Sequence, residues 1–75
     1  MSSTTLSRRR PNAVVGRRLR AMRVNKGLSP EALGNRVGCS GRTIRRIEEG
    51  RRPTVRTMFL LAQEFECEVV DLWPL

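Results

Sequence analysis

Residues Ser29 to Gly50 read SPEALGNRVGCSGRTIRRIEEG, and this stretch decides the fold. Ser29 is placed to cap a helix, Pro30 suits the first helical position, and Glu31 puts negative charge on the first turn. Leu33 and Val37 are four residues apart and share one face. Gly38 supplies the left-handed backbone that ends a helix at little cost. Ser40 then caps a second helix, in which Ile44 and Ile47 lie three apart and Glu49-Gly50 closes the element. Arg42, Arg45 and Arg46 largely miss the isoleucine face and point to solvent or a ligand. Each helix is too short to stand alone. Two such helices about a glycine-bearing turn, the second armed with arginines, form a helix-turn-helix pattern.

Outward toward the N-terminus, residues 1–12 form a tail rich in Ser, Thr and Arg that ends SRRRPN. It has little to bury and is expected to be a disordered basic arm, with Pro11 disfavouring helix at Arg10. Arms of this kind lay arginines on DNA, here Arg8, Arg9 and Arg10, or add only solubility. A first helix is expected from Ala13 or Val14, capped by Asn12, with Val15, Leu19 and Met22 as its inward stripe and Val24 near the edge. Lys26-Gly27 ends it, and Leu28 plugs the core beside the turn.

Toward the C-terminus, Arg51-Arg52-Pro53 is a basic loop suited to a DNA backbone. Thr54 caps a fourth helix from Val55 to about Phe65, with Met58, Leu61, Ala62 and Phe65 at core spacing and Phe59 covering the edge. Val69 to Trp73 reads as a short fifth helix stopped by Pro74. Val69, Val70, Leu72, Trp73 and Leu75 offer more apolar surface than one short element needs. Two readings stay open: a partner surface, or a cap on the monomer's own core.

Composition narrows the chemistry. The 75 residues suffice for one domain, whose folded part is expected over residues 13–75. The net charge is +8, and fourteen of the fifteen basic residues are arginine. Residues 1–63 hold all of that basic charge with three acidic groups, while residues 64–75 hold four acidic groups and no basic one. Arginine's planar fork suits phosphate and guanine edges. With no tyrosine and a single tryptophan, an aromatic platform for single strands is not expected. No histidine is present, so a His-based triad or Cys/His zinc site is excluded. Cys39 and Cys67 are too few and too far apart to close a structural zinc site, and are read as buried free thiols. Glu48 and Glu49 are helix neighbours that do not face each other as a catalytic pair does. No enzyme, metal or cofactor is expected. No apolar run is long enough for a membrane span or a secretory leader, so a cytoplasmic protein is expected.

Lys26-Gly27-Leu28-Ser29, Glu31-Ala32-Leu33, Val37-Gly38-Cys39-Ser40, Thr43-Ile44, Arg46-Ile47-Glu48 and Gly50 to Pro53 together resemble the phage-repressor helix-turn-helix family, the Cro and lambda-repressor-like, XRE-type domains. The parts are individually weak, but their order and spacing are specific, and the resemblance extends from about Gly16 to Trp73. It implies an all-α, compact five-helix DNA-binding domain. By that likeness the third helix reads bases through its first two residues and the one six past the cap. Those are Gly41, which has no side chain, Arg42 and Arg46. Ser40, Thr43, Arg45, Arg51 and Arg52 are left for the DNA backbone, while the competing reading makes all three helix arginines backbone clamps. The resemblance also implies an ion pair between Arg23 and Glu48, which spacing alone does not reveal. Three positions depart from the family pattern: Gly34 stands for alanine, Glu66 for glycine, and Pro30 for a glutamine that reaches phosphate.

These readings point to a sequence-specific double-stranded DNA-binding transcriptional regulator, expected to repress by occupancy as a homodimer on two half-sites. Val69, Leu72, Trp73 and Leu75 are its candidate dimer contacts. The alternative is an antitoxin, or another interaction protein, whose helix-turn-helix autoregulates its operon. Its protein partner would be a toxin, or for an adaptor a polymerase component. No small-molecule ligand is evident.

Overall fold

A computed structural model describes the backbone of residues 2–74 and the side chains of residues 12–74. Five helices follow one another with no strand among the described residues: α1 Ser2–Asn25, α2 Pro30–Val37, α3 Gly41–Glu48, α4 Val55–Glu64 and α5 Val69–Leu72. Three of the starts are made by hydroxyl caps. Ser29 Oγ accepts from Ala32 N at 3.0 Å, Ser40 Oγ from Thr43 N at 3.1 Å, and Thr54 Oγ1 from Thr57 N at 3.2 Å. Each satisfies a backbone donor that a helix start leaves without an intrahelical partner.

The start of α1 differs from expectation. Its backbone is helical from Ser2 rather than from Ala13 or Val14, so Asn12 lies inside the helix and does not cap it. Pro11 removes one backbone donor inside this helix, and Arg10 is helical although the following proline disfavours it. The side chains of the expected basic arm, Arg8, Arg9 and Arg10 among them, lie outside the described residues.

Side chains from all five helices meet in one core: Val15 and Leu19 of α1, Leu33 and Val37 of α2, Ile44 and Ile47 of α3, Met58, Leu61 and Ala62 of α4, and Leu72 of α5 with Trp73 just beyond it. Met22, Leu28, Cys39, Phe65, Cys67 and Val69 pack at its margin. Two apolar residues assigned to the edge stay outside: Phe59 is 61% exposed and Val24 58%. Both point away because the helix faces carrying Met58/Leu61/Ala62 and Val15/Leu19 are already turned inward.

The C-terminal segment resolves differently from the partner-surface reading. Leu72 is 1% and Trp73 4% exposed, so their side chains complete the monomer's core and are not offered to a second molecule. Val69 is half-buried, Val70 is exposed, and Leu75 lies outside the described residues. Glu66 takes a left-handed φ of 56°, while Cys67 N donates back to Ala62 O at 2.9 Å. The chain thus closes α4 with the hydrogen bond that usually accompanies glycine, at the expense of some backbone strain.

Candidate nucleic-acid interface

The turn between α2 and α3 is set by two features. Gly38 has φ 78°, the left-handed position that lets the chain leave α2. Gly34 lies so near the next segment that a methyl group there would collide with the Cys39 carbonyl oxygen. That position is therefore narrower than expected, since alanine does not fit this backbone without a shift. Together these bring α2 and α3 into close crossing and fix how α3 stands on the surface.

One buried ion pair anchors α3 from behind. Arg23 Nε donates to Glu48 Oε2 at 2.6 Å and Nη2 to Oε1 at 3.1 Å, while Nη1 donates to Leu28 O at 2.8 Å. The side chains are only 10% and 8% exposed. A fork-to-fork pair of this kind fixes orientation as well as adding energy. The hydrogen bond to Glu48, strengthened by its charge, raises the Arg23 guanidinium above its ordinary value against the opposing cost of burial. The last turn of α1 is thereby tied to the last turn of α3.

The outer face of α3 is different. Ile44 and Ile47 are buried, whereas Arg42 and Arg46, one turn apart, are exposed. Neither has an ion-pair partner among the described residues. Arg46 joins Arg51 and Arg52 of the following loop around a concavity completed by Thr43, Ile47, Pro53, Thr54 and Thr57. No acidic residue lines it. The start of α4, with its positive dipole end, borders the same hollow. Three arginines, three threonine hydroxyls and a helix start are groups that take phosphate oxygens. Ser40 and Thr43 stand at the front of α3, their hydroxyls 3.0 Å apart.

Arg45 does not join this group. Its Nη2 donates to Glu31 Oε2 at 2.6 Å, and it lines a separate hollow with Arg20, Arg23, Pro30, Glu48 and Glu49. The sequence places Glu31 on the first turn of α2 and within the family likeness, but carries no sign of this contact. The Glu31 carboxylate is held below the usual range by a bond from its own backbone N–H and then by Arg45. The same side chain occupies the space in front of Gly41, where a methyl group would fall 2.6 Å from Glu31 Oε2. The 14-residue separation of Glu31 and Arg45 carries no periodic signal, and only the crossing of α2 on α3 joins them.

The acidic end is partly engaged. Glu64 Oε2 accepts from Arg36 at 2.9 Å and Lys26 at 3.3 Å, tying together the ends of α1, α2 and α4. Lys26 also lies over the Phe65 ring at 5.5 Å. Burial pushes the Cys39 and Cys67 thiols up from their ordinary value, so both stay protonated at neutral pH. Among the described residues no cluster of potential ligands could hold a metal ion, and no helix is long and apolar enough to cross a membrane.

Two helices crossing about a tight turn, the second presenting exposed arginines beside a basic loop, define a helix-turn-helix of the DNA-binding class. The chain belongs to the helix-turn-helix domain family: the family model of that description matches residues 14–62, from within α1 to the last turn of α4. No curated protein matches the chain, and no solved structure does.

Proposed function

We propose that this protein is a sequence-specific, double-stranded DNA-binding transcriptional regulator of the phage-repressor type, acting as a homodimer on two half-sites and repressing by occupancy. The observation that carries this reading is the state of the α3 arginines. Arg42 and Arg46 are exposed and without ion-pair partners among the described residues, while Arg45 of α3 and Arg23 of α1 are tied to carboxylates. An arginine left free on a recognition helix can put both prongs of its fork on the O6 and N7 of a guanine. Arg51 and Arg52, with Thr43, then neutralise and position on phosphate, and Ser40 at the head of α3 faces the backbone. Arg8, Arg9 and Arg10 of residues 1–12 extend the phosphate contacts beyond the domain of residues 13–75. Such a protein works in the cytoplasm.

Selection of bound sequences from a random duplex pool tests the reading. The expected product is a guanine-containing half-site, repeated about one helical turn (roughly 34 Å) away. A pool that emerges without any sequence preference overturns base reading by Arg42 and Arg46 and leaves them as backbone clamps. A chain that retains no duplex at low salt overturns DNA binding itself.

A further inference from the structure

Three of the large apolar side chains that stay exposed lie on α4 and α5: Val55 at 64%, Phe59 at 61% and Val70 at 55%. Val55, Phe59 and Gln63 follow one another at four-residue intervals, so they form a single stripe along α4. At the C-terminal end of that stripe is a groove of about 340 Å³, lined by Phe59, Ala62, Gln63, Cys67, Glu68 and Val69. An aromatic side chain therefore stands at the mouth of a largely apolar hollow of a size to receive one. The two ends of the stripe carry opposite charge. Arg56 flanks it on the N-terminal side and Glu68 lines the groove at the other end, and neither has an ion-pair partner among the described residues.

From this we infer that the α4 stripe and the α4–α5 groove are the surface by which a second copy of this chain docks, Phe59 of each copy entering the groove of the other; the inference rests on the DNA-binding reading above for its purpose. A two-fold axis through the stripe sets α4 antiparallel to its mate. That operation reverses the ends, so Arg56 of one copy meets Glu68 of the other, twice over. An unrelated acidic or basic partner satisfies only one end. The net charge of +8 makes two copies repel, and the acidic residues 64–75 are where a copy is approached most easily. The docking also starts directly after Arg51-Arg52-Pro53-Thr54, so the two basic loops lie at opposite ends of the antiparallel α4 pair. The face is small compared with the roughly 800 Å² per partner of a stable complex. Self-association is accordingly weak in free solution, with a dissociation constant of about 100 µM. It becomes effective when two copies share one duplex and each raises the local concentration of the other.

Sedimentation equilibrium of the chain without DNA, up to about 1 mM, is the first measurement. Phe59→Ser is expected to abolish association while leaving the urea midpoint unchanged, because that ring lies outside the core. Arg56→Glu and Glu68→Arg are each expected to weaken it about tenfold, and their combination to return it to within about threefold of the native chain. On a duplex with two copies of the selected half-site, Phe59→Ser is expected to lose cooperativity but keep native affinity for a single half-site. No association of the native chain at about 1 mM, association indifferent to Phe59→Ser, or a charge reversal that fails to rescue overturns the interface. Binding to DNA as an independent monomer overturns it too, and leaves the regulator reading intact. Association through Phe59 by a chain that binds no duplex sustains the interface and overturns that reading instead.

Discussion

Arg23–Glu48 and Arg45–Glu31 are both 2.6 Å ion pairs, and both join α3 to an earlier helix. They are not equivalent. The first has side chains 10% and 8% exposed, the second 53% and 58%. Behind α3 the guanidinium is spread over both oxygens of Glu48 and the Leu28 carbonyl, with little water to replace any of them. In front of α3 the Arg45 contact is bathed in solvent that screens it and competes for both partners. Equal distance therefore does not mean equal worth. Burial makes one pair a part of the fold and leaves the other free to exchange its partner.

The largest expected effect lies behind α3. Glu48→Ala strands a buried guanidinium and is expected to cost about 3–5 kcal/mol, a large share of the stability of so small a domain. Urea melts measure it, and a midpoint equal to that of the native chain would break the distinction between the pairs. Next comes the unpaired group. Arg42→Ala is expected to lose about 1–3 kcal/mol on the selected duplex and much less on random duplex. Arg52→Ala is expected to weaken both alike and to flatten the salt dependence by about one unit. Titrations on the two duplexes across a range of salt separate these outcomes, and equal losses for Arg42→Ala would falsify base reading by that side chain.

Glu31→Gln sharpens the comparison from the solvent side. It is expected to leave the urea midpoint in place. Freed from its carboxylate, Arg45 is expected to bind phosphate, strengthening affinity severalfold on any duplex and steepening the salt slope by about one unit. Weaker binding than native on both duplexes is the contrary result, and would make Glu31 a support for α3 instead of a competitor for Arg45. The smallest effect is the titration of Glu31 itself. A carboxyl whose folded-state pKa is depressed contributes stability above its unfolded value, near 4.3, and loses it as pH falls through the folded value. The Arg45 contact is thus expected to persist at neutral pH and open only in acid. Carboxyl NMR should find the Glu31 midpoint below the ordinary carboxylate range. Arg45→Ala should return it only part of the way, since the bond from its own backbone N–H remains.

The helix-turn-helix was legible because its signals are local. Ser29, Gly38, Ser40 and Thr54 act on backbone groups within a few residues, and the spacings of Leu33/Val37 and Ile44/Ile47 name the buried faces directly. The bounds of α2, Pro30–Val37, follow from these alone. Less was legible wherever an element is short or a contact crosses the chain. α5 has only four residues, barely one turn, so periodicity cannot say which of its apolar side chains turns inward. Tertiary packing seats Leu72 and Trp73 in the core and leaves Val70 outside, moving the candidate self-association surface from the chain's end to Phe59 on α4. The Arg45–Glu31 contact is hidden from the sequence for a similar reason. Sequence shows that Arg45 leaves the isoleucine face, but not that Glu31 arrives there on another helix.

By itself, then, the sequence determined α2, α3 and α4 with their hydroxyl caps and inward faces, and the arginine-rich surface, because each depends on interactions within one or two turns. Which arginines are spoken for was decided only when α1, α2 and α3 packed together. Arg23, Arg42, Arg45 and Arg46 are chemically the same side chain. What distinguishes them is a carboxylate brought from 25 residues away, one brought from 14 residues away, or none among the described residues. The crossing of helices sets those partners, and the depth at which each pair lies sets how firmly it is held.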